Sequence, residues 1–70
     1  MEPQAAFGAK LRELRKQAGI TQEQLGARCG MDLAAISRLE RGVRDAQLST
    51  IVRLARALEV TPSTLLERVR

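Results

Sequence analysis

The side chains that could carry chemistry in this sequence are mainly arginines. Ten of the twelve basic residues are Arg, and with only eight acidic residues the formal net charge is +4. The forked guanidinium group suits contacts with phosphates and with guanine edges. An excess of this group on a chain of 70 residues favours a polyanionic partner, and nucleic acid is the first candidate.

Catalytic and metal chemistry have little support in the composition. The chain has no His and a single Cys, which excludes His-based proton relays, most metal sites and an internal disulfide. Glu40 could resemble a catalytic acid, but neither a His nor a second patterned carboxylate accompanies it. Cys29 precedes a turn glycine and is predicted to be a small buried apolar residue, not a redox sensor. We therefore predict no enzyme, no metal and no cofactor.

One small domain must position the arginines, because a chain this short buries only about 60% of the surface that its unfolded form exposes. Hydrophobic residues make up 44% of the chain and Phe7 is the single aromatic residue, so the core is predicted to be aliphatic. No apolar run approaches about 18 residues, and no charged start precedes an apolar stretch. We expect neither a membrane span nor a secretory signal, and we expect a cytoplasmic protein.

The same helix-start pattern occurs three times. Thr21, with Gln24 three residues later, forms a capping box in which the Thr hydroxyl accepts from the Gln24 backbone N–H. Asp32 and Thr61 are N-cap residues of the same kind, and Pro62 follows the second of them. Apolar residues flank each cap as hydrophobic staples. These signals predict helix starts near residues 21, 32 and 61.

Apolar periodicity and glycines supply the other boundaries. Two stripes have helical spacing, and Gly19, Gly30 and Gly42 suit the left-handed position that follows a helix. The stripes consist of Phe7, Leu11, Leu14 and Ala18, and of Leu48, Ile51, Val52, Ala55 and Leu58. The sequence therefore predicts an all-α domain without strands, with five helices over approximately residues 3–18, 21–29, 32–41, 47–59 and 61–69.

Residues 21–42 hold the arrangement most directly linked to function, two short helices joined by a tight turn. Helices this short must dock their apolar residues on the rest of the domain, which leaves the outer face of the second helix free. A recognition helix in a DNA major groove is built this way, with base contacts from its first residues and phosphate contacts from flanking cations. The outward residues are Leu33, Ala34, Ser37 and Arg38, with Arg41 and Arg44 just beyond, whereas Arg28, Arg53 and Arg56 are predicted to be solvated.

Two segments of this region, 21–26 (TQEQLG) and 36–42 (ISRLERG), resemble the helix-turn-helix of the phage-repressor and Cro type, the XRE family. The resemblance extends from 10–15 (KLRELR) to 54–60 (LARALEV), which is nearly the whole chain. It implies a five-helix, lambda-repressor-like fold and a sequence-specific transcriptional regulator that binds double-stranded DNA. The short chain and 40–45 (ERGVRD) are similar to the controller proteins of restriction–modification systems.

The resemblance also implies roles for individual residues. Gln22 at the start of the second helix would contact a phosphate beside helix N-terminal amides that favour anions, and Thr21 next to it would also belong to the DNA-binding residues. Arg15 and Glu40 would form a largely buried structural pair between the first and third helices. The base-facing residues would be Leu33, Ala34, Ser37 and Arg38, and the phosphate or groove-edge residues Arg41 and Arg44.

Three departures from the family pattern affect these expectations. Gly26 stands where Ala is usual, so the second helix is either softer or more tightly packed. Leu33 and Ala34 replace side chains that give forked base contacts, which leaves thymine-methyl contacts and Arg38 on guanine as the main direct options. Specificity is then modest or based on DNA shape. Residues 46–47 replace the usual Pro-Ser, so the start of the fourth helix is the least defined boundary.

We expect a homodimer, because a single module of this size offers few base contacts and two modules read half-sites roughly 34 Å apart. The resemblance places the interface on the fourth and fifth helices, with Leu65, Leu66 and Val69 as candidates. Two alternatives stay open: an antitoxin-like regulator that also binds a toxin, and a helical adaptor that makes only protein contacts. The sequence leaves the operator, the direction of regulation and any contact with RNA polymerase undetermined.

Overall fold

Five helices and no strands make up the fold in the computed structural model, which describes residues 1–70. The helices are α1 (Pro3–Gln17), α2 (Gln22–Cys29), α3 (Leu33–Glu40), α4 (Leu48–Ala57) and α5 (Pro62–Leu65). The predicted all-α, five-helix fold is confirmed. None of the five helices has the length and apolarity that a bilayer-spanning helix requires.

The three predicted helix starts are confirmed by their cap hydrogen bonds. The Thr21 hydroxyl accepts from the Gln24 backbone N–H at 3.0 Å, and the Thr21 N–H donates to Gln24 Oε1 at 2.8 Å. Asp32 Oδ1 accepts from the Ala35 N–H at 2.7 Å, and Thr61 Oγ1 accepts from the Thr64 N–H at 3.2 Å. Gly19, Gly30 and Gly42 have φ values of 72°, 70° and 74°, the left-handed conformation predicted for residues that follow a helix.

Helix α4 differs from its predicted span. It starts after Gln47, which makes no side-chain cap, and it ends at Ala57 although the stripe predicted residue 59. The end is closed by the Val60 N–H, which donates to the Ala55 carbonyl at 2.9 Å, while Glu59 takes φ 56°. Glu59 thus occupies the left-handed position where glycine is usual, and sequence patterns give little warning of that.

Helix α5 ends at Leu65, four residues before the predicted residue 69. Beyond it the chain forms tighter turns, in which the Glu67 N–H donates to the Thr64 carbonyl at 3.3 Å and the Val69 N–H donates to the Leu66 carbonyl at 2.9 Å. These are i to i−3 bonds, which tighten the backbone relative to an α-helix.

The core is aliphatic with one aromatic residue, as predicted. Its centre consists of side chains from all five helices that are shielded from solvent, and Cys29 lies at its edge with its thiol 3.2 Å from the Leu25 carbonyl oxygen. Cys29 is therefore the buried small residue that the sequence predicted. The fully buried large side chains are Leu11, Leu25, Ile36, Leu39, Leu54 and Leu65.

Three apolar residues do not lie where the sequence placed them. Leu48 is 75% exposed although it belongs to the α4 stripe, whereas Thr50 in the same turn is buried. Ala18 at the end of α1 is exposed as well. Leu65 was expected at a dimer interface, but its exposure is 0%, so it is a core residue and has no surface to offer a second copy.

Two glycines let the helices approach closely. A Cβ on Gly26 would lie 2.3 Å from the Met31 carbonyl oxygen, and a Cβ on Gly8 would lie 2.3 Å from the Leu39 carbonyl oxygen. Gly26 thus brings α2 against the turn into α3, and Gly8 brings α1 against the end of α3. Of the two readings of Gly26 that the sequence allowed, tighter packing is the correct one.

Candidate nucleic-acid interface

Helix α3 has one face in the core and one face in solvent. Ala35, Ile36, Leu39 and Glu40 are buried, which fixes the rotation of the helix about its axis. On the opposite face, Leu33 is 49% exposed, Ala34 and Arg38 are exposed, and Ser37 is half-buried. The structure thus brings the four predicted base-facing residues together on one surface of α3.

The two cations that follow α3 are exposed but are held differently. Arg41 Nε donates to the Ser37 hydroxyl at 3.3 Å, which draws its head group back along the exposed face of α3. Arg44 lies in the loop before α4 and makes neither a hydrogen bond nor an ion pair. Arg38, Arg41 and Arg44 therefore place three guanidinium groups on or beside α3, and Arg38 and Arg44 have all their donors free.

A polar network under this surface ties α3 to α1 and α2. Arg15 binds Glu40 through two bonds, Nε to Oε2 at 2.6 Å and Nη2 to Oε1 at 3.1 Å. The Arg15 and Glu40 side chains are only 11% and 2% exposed. Arg15 Nη1 also donates to the Ile20 carbonyl at 2.9 Å, so the guanidinium group joins the end of α1, the turn before α2 and the end of α3.

Gln22 belongs to the same network, a contact that the sequence did not predict. Its Nε2 donates to Glu40 Oε1 at 3.0 Å, which gives Glu40 three hydrogen bonds and holds the amide beside the start of α2. One N–H and the carbonyl oxygen of this amide remain free. Thr21 caps α2 next to it and is exposed. No spacing rule links residues 22 and 40, which lie 18 positions apart.

Two exposed apolar side chains between α3 and the first residue of α4 were not among the predicted site residues. Val43 is 67% exposed and Leu48 is 75% exposed, and they lie on either side of Arg44 in the chain. The signal available in the sequence was misleading for Leu48, because its helical spacing assigned it to the core stripe. With Leu33, they are the large apolar side chains that are exposed from α3 to the start of α4.

Comparison with known proteins agrees with this geometry. Residues 11–65 match the family HTH_3, described as helix-turn-helix. The chain belongs to this family. It is 37% identical over 62 residues to the control protein C.BamHI of Bacillus amyloliquefaciens, a match that covers 87% of this chain and 76% of that protein.

Solved structures give the same result for the fold. The restriction–modification controller protein C.AhdI from Aeromonas hydrophila superposes with a TM-score of 0.87 at 40% identity, covering 89% of this chain and 90% of that one. The P22 c2 repressor, solved in complex with a synthetic operator, superposes with a TM-score of 0.81 at 33% identity over 87% and 92% of the two chains. The sequence-based identification of the family is confirmed, and the chain is a helix-turn-helix transcriptional regulator.

Proposed function

We propose that this regulator inserts α3 into the DNA major groove and controls genes of a restriction–modification system. The observation that carries the DNA-binding part is the two-faced character of α3: a buried face anchored by Glu40, and an opposite face that offers Leu33, Ala34, Ser37 and Arg38 and no acidic side chain. The major groove is about 12 Å wide and admits an α-helix. The similarity to C.BamHI and C.AhdI supports the controller role.

Base recognition would come from the exposed residues of α3. Arg38 has a free guanidinium group suited to two acceptors of one guanine. Ser37 can donate or accept, and Leu33 and Ala34 offer apolar surface to thymine methyl groups. With a single forked reader per module, DNA shape would add to the discrimination.

Phosphate contacts would surround this reading surface. Arg44 and Arg41 lie on one side of α3, and Gln22 and Thr21 lie at the N-terminus of α2, where helix amides already favour an anion. Each neutralised phosphate releases counterions, so this term sets the salt dependence of binding. C.BamHI and C.AhdI are bacterial proteins, and a regulator of this kind would bind its DNA in the cytoplasm.

The operator would be read by a homodimer. Leu66 and Val69 pack partly against the core and stay partly exposed, so they keep surface for a second copy, unlike Leu65. Together with Phe7 and Ile51 they line an apolar groove of about 190 Å³. Sedimentation with and without operator DNA tests the assembly, and a monomer in both conditions would contradict it.

Selection from a random duplex library at near-physiological salt tests the DNA-binding function. We expect enrichment of a two-fold symmetric site. Arg44→Ala should weaken binding to all duplexes alike and lower the salt slope by about one, whereas Arg38→Ala should relax one base position at a cost of about 1–3 kcal/mol. Arg70→Ala, an exposed arginine at the chain end, is the matched control.

The same selection separates this function from its alternatives. An unchanged preferred site in Arg38→Ala would remove Arg38 as a base reader. No enrichment by a folded helical protein would contradict DNA recognition, and the exposed Leu33 would then favour the adaptor that makes only protein contacts. Copurification of a stoichiometric protein partner would instead identify the antitoxin-like regulator.

A further inference from the structure

Three of the ten arginines line a cleft that the proposed DNA contacts do not use. The cleft has a volume of about 300 Å³ and lies between the end of α2 and the second half of α4. Arg28, Arg53 and Arg56 form its walls, and Cys29 and Ala57 complete the lining. The sequence predicted only that these arginines are solvated.

No carboxylate of the protein neutralises this cluster. The ion pairs of the fold are Lys10 with Glu13 and Glu67, Arg15 with Glu40, and Arg68 with Glu13, and none of them includes an arginine of the cleft. Arg53 and Arg56 are exposed, and their guanidinium groups make no hydrogen bond. Positive groups that converge on a concave surface focus their field and concentrate anionic groups there.

Arg28 is held in place at one wall of the cleft. Its Nη1 donates to the carbonyl oxygen of Ala57, the last residue of α4, at 3.2 Å. The other N–H groups of this guanidinium remain free to bind an acceptor. Because the side chain is already ordered, a ligand meets a smaller entropic cost than it would with three freely rotating arginines.

The lining favours a carboxylate on an aliphatic stem. Cys29 is buried and Ala57 is half-buried, so an apolar surface lies among the three cations. Burial raises the pKa of the Cys29 thiol, an effect that the nearby Arg53 partly offsets, and the neutral thiol adds no negative charge to the cleft. The methylene groups of Glu can cover such a surface, and a phosphate group has none.

The cleft is separate from the proposed DNA-binding surface. None of the residues on α3 or in the loop after it lines the cleft. Gln22 starts α2 and Arg28 lies six residues later, which is about 9 Å along the helix. A partner in the cleft and DNA on α3 therefore occupy different parts of α2.

We propose that the Arg28–Arg53–Arg56 cleft binds an acidic segment of a partner protein, one that carries at least two carboxylate side chains. The regulator then has two charged surfaces, one for DNA and one for a protein. If the cleft does not bind an acidic segment, the proposed DNA-binding function still stands, because DNA binding and acidic-segment binding would use different arginines.

Fluorescence anisotropy with a labelled hexaglutamate peptide at low ionic strength tests the proposal on the full chain. The variant is Arg53→Gln/Arg56→Gln, and the matched control is Arg12→Gln/Arg70→Gln, which removes the same charge from exposed arginines without hydrogen bonds. We expect about fivefold weaker peptide binding by the cleft variant, from two exposed ion pairs worth about two- to threefold each, and less than about twofold by the control. Circular dichroism verifies that both variants are folded.

Three results would overturn the proposal. The first is that the wild-type protein does not bind the peptide. The second is an equal loss in the cleft variant and the control, which would mean that net charge alone attracts the peptide. The third is that the cleft variant weakens duplex binding more than the control does, which would make the cleft a phosphate-binding surface.

Discussion

Removing Arg15 is the perturbation that tests the buried network most directly. In Arg15→Met the Glu40 carboxylate, only 2% exposed, loses both guanidinium bonds and keeps the one from Gln22. A buried charge stripped of its partner costs about 3–5 kcal/mol. A domain of 70 residues has a total stability of about 4–10 kcal/mol, so the variant should lose a large part of it.

Urea unfolding followed by circular dichroism measures this loss, because the chain has neither Trp nor Tyr for fluorescence. At about 4–8 °C per kcal/mol, the melting temperature should also fall by at least about 12 °C. Arg12→Met on the exposed side of the same helix is the control and should stay within about 0.5 kcal/mol of wild type.

The double variant Arg15→Met/Glu40→Leu distinguishes a lost contact from an orphaned charge. Replacing a buried ion pair by apolar side chains of similar volume is often neutral or stabilising, so the double variant should be more stable than Arg15→Met alone. A loss below about 1 kcal/mol in Arg15→Met would refute the reasoning. So would a double variant as unstable as the sum of the single variants, because it would show no coupling between the two residues.

Three further predictions concern packing and titration. Gly26→Ala should destabilise the protein by at least about 1 kcal/mol in urea unfolding, because the added Cβ would overlap the Met31 carbonyl oxygen. This loss should exceed the gain from the better helix propensity of Ala, and a stabilised variant would contradict the close approach. Cys29 should react with iodoacetamide at pH 8 far more slowly in the folded protein than in urea, because burial raises the pKa of the thiol; equal rates would contradict its burial. Hydrogen bonds from Lys10 and Arg68 lower the pKa of Glu13 below its ordinary value of 4.5. The ionised Glu13 carboxylate therefore stabilises the fold fully above pH 4.5, and this stabilisation disappears as the pH falls through the lowered pKa. The difference in melting temperature between wild type and Glu13→Gln should therefore be present at pH 7 and vanish in acid, and a difference independent of pH would exclude the ion pair as its cause.

The helix starts were predictable because their chemistry is local. Each cap needs only a side chain and a backbone N–H three residues later, so each of the three caps is contained in a short stretch of sequence. The ends of α4 and α5 were less predictable than the ends that a glycine marks, because Glu59 takes the left-handed position after α4 and the segment after α5 makes a contact far away in the chain. The end of α5 illustrates this, since Arg68 pairs with Glu13 at 2.7 Å across 55 positions of the chain.

The candidate site was predictable in part for the same reason. The exposed face of α3 followed from which of its residues had to be buried, and helical spacing sufficed for that. Spacing could not show that Leu48 projects past the core, nor which of Leu65 and Leu66 fills it, because both depend on how neighbouring helices end. The link from Gln22 to Glu40 needs the relative position of α2 and α3, which no local pattern contains.

The polar anchor at Glu40 explains how so small an aliphatic core holds the exposed face of α3 in a fixed orientation. Apolar contacts resist separation of two helices but allow small rotations and sliding, whereas hydrogen bonds have a narrow range of distance and angle. Glu40 accepts from Arg15 on α1 and from Gln22 on α2, so the exposed residues of α3 are fixed relative to the N-terminus of α2. The stability of the domain and the position of Gln22 relative to α3 thus depend on different parts of this network. An apolar pair at positions 15 and 40 can restore the stability of the domain, but it leaves the Gln22 amide without the acceptor that holds it beside α3.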